Sequence, residues 1–266
     1  MAPSTRTKPK AAKRPAAKAP PARMSLAEVM RALKKAGTAQ TKKTYARHGA
    51  VEPMFGVSFA TLKALYRKIG IDHDLALALW DTGNYDARNL AFKVVDPAKI
   101  TATDLDRWAR DMRVRMCAGY VSALAAESPH GLAKAAKWLA AADEDLRCAG
   151  WWLVGSLAMR NPEVPEAWFL ARLREIERTL QAAPNGERYA MNQALICLGG
   201  RSPALRRAAL AAAKKIGRVD VDHGDTACQT PEAALYIEKT WTRARASGFA
   251  TPSVHEQSRE SPRTRC

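Results

Sequence analysis

Apolar residues recur along most of the chain with the spacing of an α-helix. In the segment VSFATLKALYRKI, the apolar positions Phe59, Leu62, Leu65 and Ile69 fall on one helical face. The segments AWFLARLREIERTL and PALRRAALAAAKKIG repeat this pattern, and Gly217 follows the second as a typical helix C-cap. The sequence contains no convincing strand alternation or hairpin turn, so we predict an all-α fold.

Polar–proline pairs divide the helical segments at Asp96-Pro97, Ser128-Pro129, Asn161-Pro162, Ser202-Pro203 and Thr230-Pro231. Such a pair is typical of a helix start, with the polar side chain as N-cap and proline at the first helical position. Because the pairs lie about 28–41 residues apart, they indicate repeated helical hairpins. We therefore predict a curved superhelical solenoid of antiparallel helix pairs.

Both ends of the chain have the composition of disordered segments. Residues 1–23 are rich in Lys, Ala and Pro and contain seven Lys/Arg and no acid. We predict a disordered basic arm that contacts nucleic acid, with an inert linker as the alternative. Residues 249–266 are polar and rich in Ser, Pro and Arg, which predicts a disordered tail. The folded domain is then expected at 24–248.

The charge of the chain narrows its class of partner. It carries 43 Lys/Arg and 26 Asp/Glu, a formal net charge of +17, and the body between the two terminal segments is also basic. A basic body with a basic arm is typical of a protein that binds a polyanion, because phosphates attract the cations and release counterions. Charge that only keeps the protein in solution is the alternative.

Cysteine usage and hydropathy indicate the compartment. Five scattered cysteines without a CxxC pair favour thiols in a reducing cytosol over a disulfide framework. No stretch approaches the ~18 consecutive apolar residues of a membrane span, and the N-terminus lacks the apolar core of a signal peptide. We expect a cytoplasmic monomer with no membrane partner.

Two helical segments carry candidate site residues, although nucleotide-binding and hydrolase motifs are absent from the sequence. In LDRWARDMRVRMCAGYV, Trp108, Asp111 and Arg115 share one helical side and Arg113 lies elsewhere on the surface. An aromatic ring, a carboxyl group and a guanidinium together can stack on a nucleotide, stabilise a cation and hold a phosphate. The alternative is an ordinary amphipathic helix with Trp108 in the core.

The second segment is DEDLRCAGWWLVGSLA, where Arg147 and Trp151 stand at i and i+4 on one helical face. Arginine is a natural bidentate ligand of phosphate, so both residues are candidates for DNA contact. The alternative is a core helix in which Arg147 pairs with Asp143 or Glu144.

The segment VDVDHGDTACQTP concentrates acidic and metal-ligating residue types in a few positions. Its spacing fits neither a calcium loop, which requires a Glu at the twelfth position, nor a zinc site, which requires more His or Cys ligands. We interpret Asp222, His223 and Asp225 as a structural loop between two helices, whose side chains satisfy backbone N–H groups.

Three blocks resemble the bacterial DNA alkylation repair family of HEAT-like-repeat proteins: YARHGAVEPMFGVSFATLKAL, LALALWDTGNYDARNLAFKVVDP and DLRCAGWWLVGSLA. The resemblance runs in colinear order over residues 24–241. It implies a solenoid with a concave, positive face for alkylated or distorted double-stranded DNA. Active members are glycosylases that excise N3- and N7-alkylated purines, without metal or other cofactor. A carboxylate stabilises the oxocarbenium charge, two Trp contact the sugar and an Arg holds the backbone.

The family's functional positions are only partly matched. The family arginine falls on Arg147, but the aromatic and carboxylate positions fall on Val114 and Ala118, and the second Trp falls near Gln193. Asp111 is the remaining catalytic candidate, although it lies about 10 Å from Ala118 along a helix axis. Three functions stay open: a glycosylase, a catalytically silent binder of damaged or distorted DNA, and a protein-interaction scaffold.

Overall fold

The computed structural model describes residues 24–111 and 118–265, and every regular element in those two ranges is helical. The fifteen helices in these ranges are α1 (Leu26–Ala36), α2 (Ala39–Arg47), α3 (Phe59–Ile69), α4 (His73–Asp81), α5 (Tyr85–Val94), α6 (Ala102–Asp111), α7 (Ala118–Glu127), α8 (Gly131–Leu139), α9 (Glu144–Arg160), α10 (Glu166–Thr179), α11 (Asn185–Gly199), α12 (Pro203–Ile216), α13 (Ala233–Ala246), α14 (Pro252–Gln257) and α15 (Pro262–Arg265). A 3-10 turn, Leu180–Ala182, follows α10. The predicted all-α class is confirmed.

The helices are arranged in two layers. Helices α3, α5, α7, α9, α11 and α13 pack side by side in this order and form the central layer. Helices α4, α6, α8, α10 and α12 pack against this layer and form the outer layer: α4 contacts α5, α6 and α8 contact α7 and α9, α10 contacts α9 and α11, and α12 contacts α11 and α13. Consecutive helices therefore alternate between layers, which is the predicted stack of helix pairs.

The polar–proline pairs mostly precede helices instead of starting them. Ser202-Pro203 starts α12 as predicted, and Ser202 Oγ accepts a backbone N–H of the first turn at 3.2 Å. At Asp96, Ser128 and Asn161 the side-chain oxygen accepts the N–H two residues later. That bond closes a turn around the proline, so the following helix begins two to five residues after the proline.

Asp106 joins the outer-layer helices α6 and α8. Its buried side chain accepts a hydrogen bond from Trp138 Nε1 at 2.8 Å and lies 2.8 Å from Lys134 Nζ and 2.7 Å from Lys137 Nζ. Burial alone would raise the pKa of Asp106, but these three donors outweigh it and lower the pKa to about 2.

We expect Asp106→Asn to lower the free energy of unfolding at neutral pH by about 2 kcal/mol. The depressed pKa means that this carboxyl group stabilises the fold above its unfolded-state pKa of about 4 and loses its contribution as the pH falls toward about 2. The difference between variant and wild type should therefore shrink over that range, as measured by urea unfolding at several pH values. Asp225→Asn, an exposed substitution, is the control; a difference that is independent of pH would contradict the expectation.

The C-terminal segment is ordered, so the prediction of a disordered tail is wrong for residues 249–265. Helices α14 and α15 lie in this segment, and Arg263 and Thr264 are each only 4% exposed. Its composition is misleading because it docks through polar groups and buries few apolar side chains. We call residues 249–265 the C-terminal strap. The predicted arm, 1–23, and residue 266 lie outside the described residues.

Candidate nucleic-acid interface

The block LWDTGNYDARNLA, which is part of the family resemblance, has a structural role. Asn84 Oδ1 caps α5 by accepting the backbone N–H groups of its first turn. Asp86 is fully buried and accepts the backbone N–H groups of Phe55, Gly56 and Val57. The block thus fixes the loop before α3 onto α5, and it supplies a scaffold instead of reactive groups.

Trp108 lies in the core, and the prediction that it contacts DNA is wrong. Its ring is fully buried and stacks on Trp80 with centroids 4.0 Å apart. The Arg88 guanidinium lies over the Trp80 ring, 5.0 Å from its centroid. The alternative reading, an amphipathic helix with Trp108 in the core, is the one that the structure supports.

Asp111, the catalytic candidate, ties this stack together. Its Oδ2 accepts a hydrogen bond from Trp80 Nε1 at 2.9 Å and lies 3.3 Å from Arg88 Nη2. Its backbone carbonyl accepts a second hydrogen bond from Arg88, at 3.3 Å. This carboxyl group therefore connects the end of α6 to α4 and α5.

Arg147 and Trp151 share one acidic partner on α11. Glu187 lies 2.9 Å from Arg147 Nε through Oε2 and accepts Trp151 Nε1 at 3.2 Å through Oε1. Arg147 Nη1 also donates to the carbonyl groups of Ala141 and Ala142. Because the Trp151 ring is only 2% exposed, the prediction that it contacts DNA is wrong. The partner of Arg147 is neither of the two acids considered from the sequence.

The remaining family positions give no catalytic group in the described structure. Arg113, Val114 and Arg115 lie outside the described residues, and Ala118 is the first described residue of α7. Gln193 is half-buried on α11. Neither Ala118 nor Gln193 supplies the carboxylate or the aromatic ring that the resemblance implies for catalysis.

The acidic loop between α12 and α13 is held by α11 and the turn before it. Asn185 exchanges two hydrogen bonds with the backbone of Asp222, and Gln181 and Arg188 bind further loop carbonyls. Within the loop, Asp222 Oδ1 accepts the Gly224 N–H.

The other two loop residues differ in role. His223 Nε2 lies 3.0 Å from Thr230 Oγ1 and its ring contacts Tyr189 edge-on, whereas Asp225 is exposed. These contacts support the structural role for the loop. Within the described residues, no group of three or more His, Cys, Asp and Glu side chains is placed to hold a metal ion.

Positive charge is concentrated at the two ends of the helix stack. Residues 24–70 contain nine Lys/Arg and two Asp/Glu, a net +7, and residues 200–248 contain nine Lys/Arg and five acids, a net +4. Residues 71–199, between them, contain fifteen Lys/Arg and seventeen acids, a net −2. A polyanion is therefore attracted to two separate basic ends.

Many of these cations are exposed on helices at the ends of the stack. They are Arg31, Lys34, Lys35, Lys43, Arg47, Arg67 and Lys68 on α1, α2 and α3, and Arg207, Lys214, Lys239, Arg243 and Arg245 on α12 and α13. On α13, Lys239 Nζ also lies 5.4 Å from the centroid of the partly exposed Tyr236 ring. Cations and an aromatic ring on one helix are the groups that contact phosphates and bases.

The family model of a DNA alkylation repair enzyme matches residues 29–237. The chain belongs to the DNA alkylation repair family. The match begins in α1 and ends in α13, so it includes both layers of helices and stops before the C-terminal strap. No helix in the described part of this family member is long and apolar enough to cross a membrane.

Two relatives are similar to this chain in sequence, and a solved structure is similar to it in both sequence and fold. An uncharacterized protein of Listeria monocytogenes is 32% identical over 212 residues, which cover 77% of this chain and 92% of that protein. An uncharacterized protein of Listeria innocua is 30% identical over 210 residues, covering 76% and 91%. A solved structure, 31% identical, superposes with a TM-score of 0.76 and covers 85% of this chain and 97% of that one. It represents a family described as related to the HEAT-like repeat DNA glycosylases with affinity for branched DNA structures. The predicted HEAT-like fold is confirmed.

Proposed function

We propose that this protein binds branched DNA and does not excise alkylated bases. The observation that carries the proposal is the state of the candidate catalytic residues. Both candidate Trp rings, Trp108 and Trp151, are buried. Asp111 is exposed but paired with Arg88, and Arg147 is paired with Glu187. The family resemblance implies an aromatic and carboxylate pair beside the sugar, and the described candidates Trp108, Trp151 and Asp111 do not form one, because both Trp rings are buried.

The distribution of charge favours a branched substrate over a linear one. The two basic ends carry most of the net positive charge of the stack, and each of them can hold the phosphates of a different DNA arm. The affinity for branched DNA of the structurally similar family agrees with this reading. We further propose that the protein acts in the cytoplasm and binds DNA as a monomer.

We expect the protein to bind a four-way junction about tenfold more tightly than a linear duplex of the same length, a difference of about 1.4 kcal/mol. Gel-shift titrations at fixed salt measure the ratio, because salt changes the affinity for both DNAs. Equal affinity for the two DNAs would contradict branch recognition.

Base release tests the catalytic half of the proposal. Duplex DNA that carries 7-methylguanine or 3-methyladenine should lose no more base with the protein than with buffer. Release by the wild type that is lost in Asp111→Asn would overturn the proposal and establish a glycosylase with a shifted carboxylate.

A further inference from the structure

The C-terminal strap lies across the central layer, where it contacts the last turns of α5, α7 and α9. After α13, helix α14 packs on α9, and α15 packs on α7, α5 and α3. At its start, the Ser253 N–H donates to the carbonyl of Gly200 at 3.1 Å. At its end, Arg263 Nε lies 2.7 Å from Glu127 Oε2, and Arg263 Nη1 donates to the carbonyl groups of Phe92, Lys93 and Val95 at the end of α5.

Three cations of the central layer are bound by oxygen atoms of the strap. Lys63 on α3 lies 3.2 Å from the Glu260 carboxylate and donates to the carbonyl of Arg265 at 2.7 Å. Lys93 on α5 is fully buried and donates to the carbonyl of Arg263 at 3.0 Å.

The third cation, Arg160, lies at the end of α9. Its Nη1 donates to the carbonyl of Glu256 at 3.0 Å and lies 3.5 Å from the Glu256 carboxylate. The central layer therefore carries a cation on each of three helices. Each cation is bound by oxygen atoms of the strap, and oxygen atoms are also what the phosphates of a DNA backbone present.

The contacts of the strap are polar, which makes them exchangeable. Its only large apolar side chains are Phe249 and Val254, and Val254 is 46% exposed. Phe249 stacks on His255 within the strap itself. A segment held by ion pairs and hydrogen bonds has low local stability compared with a hydrophobic core. Salt or a competing polyanion weakens its more exposed contacts, such as the ion pair between Lys63 and Glu260.

We propose that the face beneath the strap is a DNA-binding surface, which the strap closes in the free protein. When the strap lifts, Lys63, Lys93 and Arg160 bind backbone phosphates in place of the strap's carboxylates and carbonyl groups. The inference rests on the proposed DNA-binding function and adds a control of access to it. Arg263, bound to Glu127, holds the strap in the closed position.

The full-length double variant Glu256→Gln/Glu260→Gln tests the strap directly. It keeps the length of the strap but removes the two strap carboxylates that pair with Lys63 and Arg160. Glu256 also pairs with Arg259 and Arg265 within the strap, so the substitution loosens the strap itself as well, and Arg160 keeps Glu127 as a partner 3.9 Å away. We expect it to bind a four-way junction roughly tenfold more tightly than the wild type. The reason is that a larger fraction of the free variant has an open strap, and only the open state binds DNA on this face. Glu163→Gln/Glu232→Gln, which changes the net charge equally at exposed positions outside the strap, should change the affinity by less than about twofold.

Two measurements separate release of the strap from a general charge effect. The first is hydrogen exchange of the wild-type protein. The amides of Ser253 and Thr264 are hydrogen-bonded in the closed protein and should exchange faster when junction DNA is added. Lys63→Gln should weaken junction binding about fivefold, whereas Lys215→Gln should not, because Lys215 pairs with Glu177 in the outer layer.

The outcomes distinguish this inference from the proposed function. If wild type and variants all fail to bind a junction, the proposed function fails and the inference fails with it. If the wild type binds a junction but retains full protection of the strap, the inference alone is overturned. A double variant with unchanged or weaker affinity, together with an unaltered melting temperature, overturns it as well.

Discussion

Asp86→Ala is expected to lower the free energy of unfolding by about 4 kcal/mol, since it leaves three buried backbone N–H groups without their acceptor. The carboxyl group of Asp86 is fully buried and binds the N–H groups of Phe55, Gly56 and Val57. Those residues form the loop that enters α3, so the loss should also loosen the packing of α3 on α5. Urea unfolding followed by circular dichroism measures the difference.

Asp74→Ala is the matched control for Asp86→Ala. Asp74 is an exposed acid in the first turn of α4, and its loss should cost no more than about 1 kcal/mol of helix-dipole interaction. Asp86→Asn should fall between wild type and Asp86→Ala, because the amide oxygen keeps part of the acceptor function. Equal unfolding free energies for Asp74→Ala and Asp86→Ala would refute a structural role for the LWDTGNYDARNLA block.

The all-α class and the stacking of helix pairs could be predicted because periodicity reports directly on which side of each helix is buried. The helix starts were harder to predict. A polar residue before proline caps a helix when its side chain reaches the N–H three residues later, as at Ser202, and closes a turn when it reaches the N–H two residues later, as at Asp96. Both outcomes use the same residue types, so composition does not separate them.

The partners of the candidate site residues could not be predicted from the sequence either. The Trp108, Asp111 and Arg147 side chains are indeed clustered with aromatic and charged partners, but the partners come from other helices: Trp80 from α4, Arg88 from α5 and Glu187 from α11. Helical spacing predicts which residues share a face and does not predict which neighbouring helix covers that face. The pairs that neutralise the candidates are therefore invisible in the sequence alone.

The C-terminal strap could not be predicted for a related reason. A segment with few apolar residues is ordinarily disordered because it buries too little surface to offset its loss of entropy. Here the Arg263 side chain instead reaches carbonyl groups at the end of α5 and the Glu127 carboxylate. One residue in the sequence indicates that a polar segment covers this region. Lys93 lies inside the otherwise apolar run LAFKVV, and a buried lysine requires a polar partner.

Arg147→Ala is expected to lower the free energy of unfolding by about 3 kcal/mol, because the buried Glu187 carboxylate loses its ion pair. Among the described residues, it then keeps the hydrogen bond from Trp151 Nε1. The carbonyl groups of Ala141 and Ala142 lose a donor at the same time. Arg174→Ala, at an exposed position of α10, should cost less than about 0.5 kcal/mol. Thermal or urea unfolding of the two variants measures the contrast.

Measuring DNA affinity on the same variants decides between the two roles of Arg147. If the guanidinium is structural, the folded fraction of Arg147→Ala should bind a four-way junction within about twofold of wild type, whereas loss of a phosphate ligand would weaken binding about tenfold. Glu187→Gln sharpens the choice, since it frees the guanidinium from its ion pair. A structural Arg147 predicts lower stability and unchanged affinity for Glu187→Gln; a phosphate-binding Arg147 predicts tighter binding, because the cation no longer has an internal competitor.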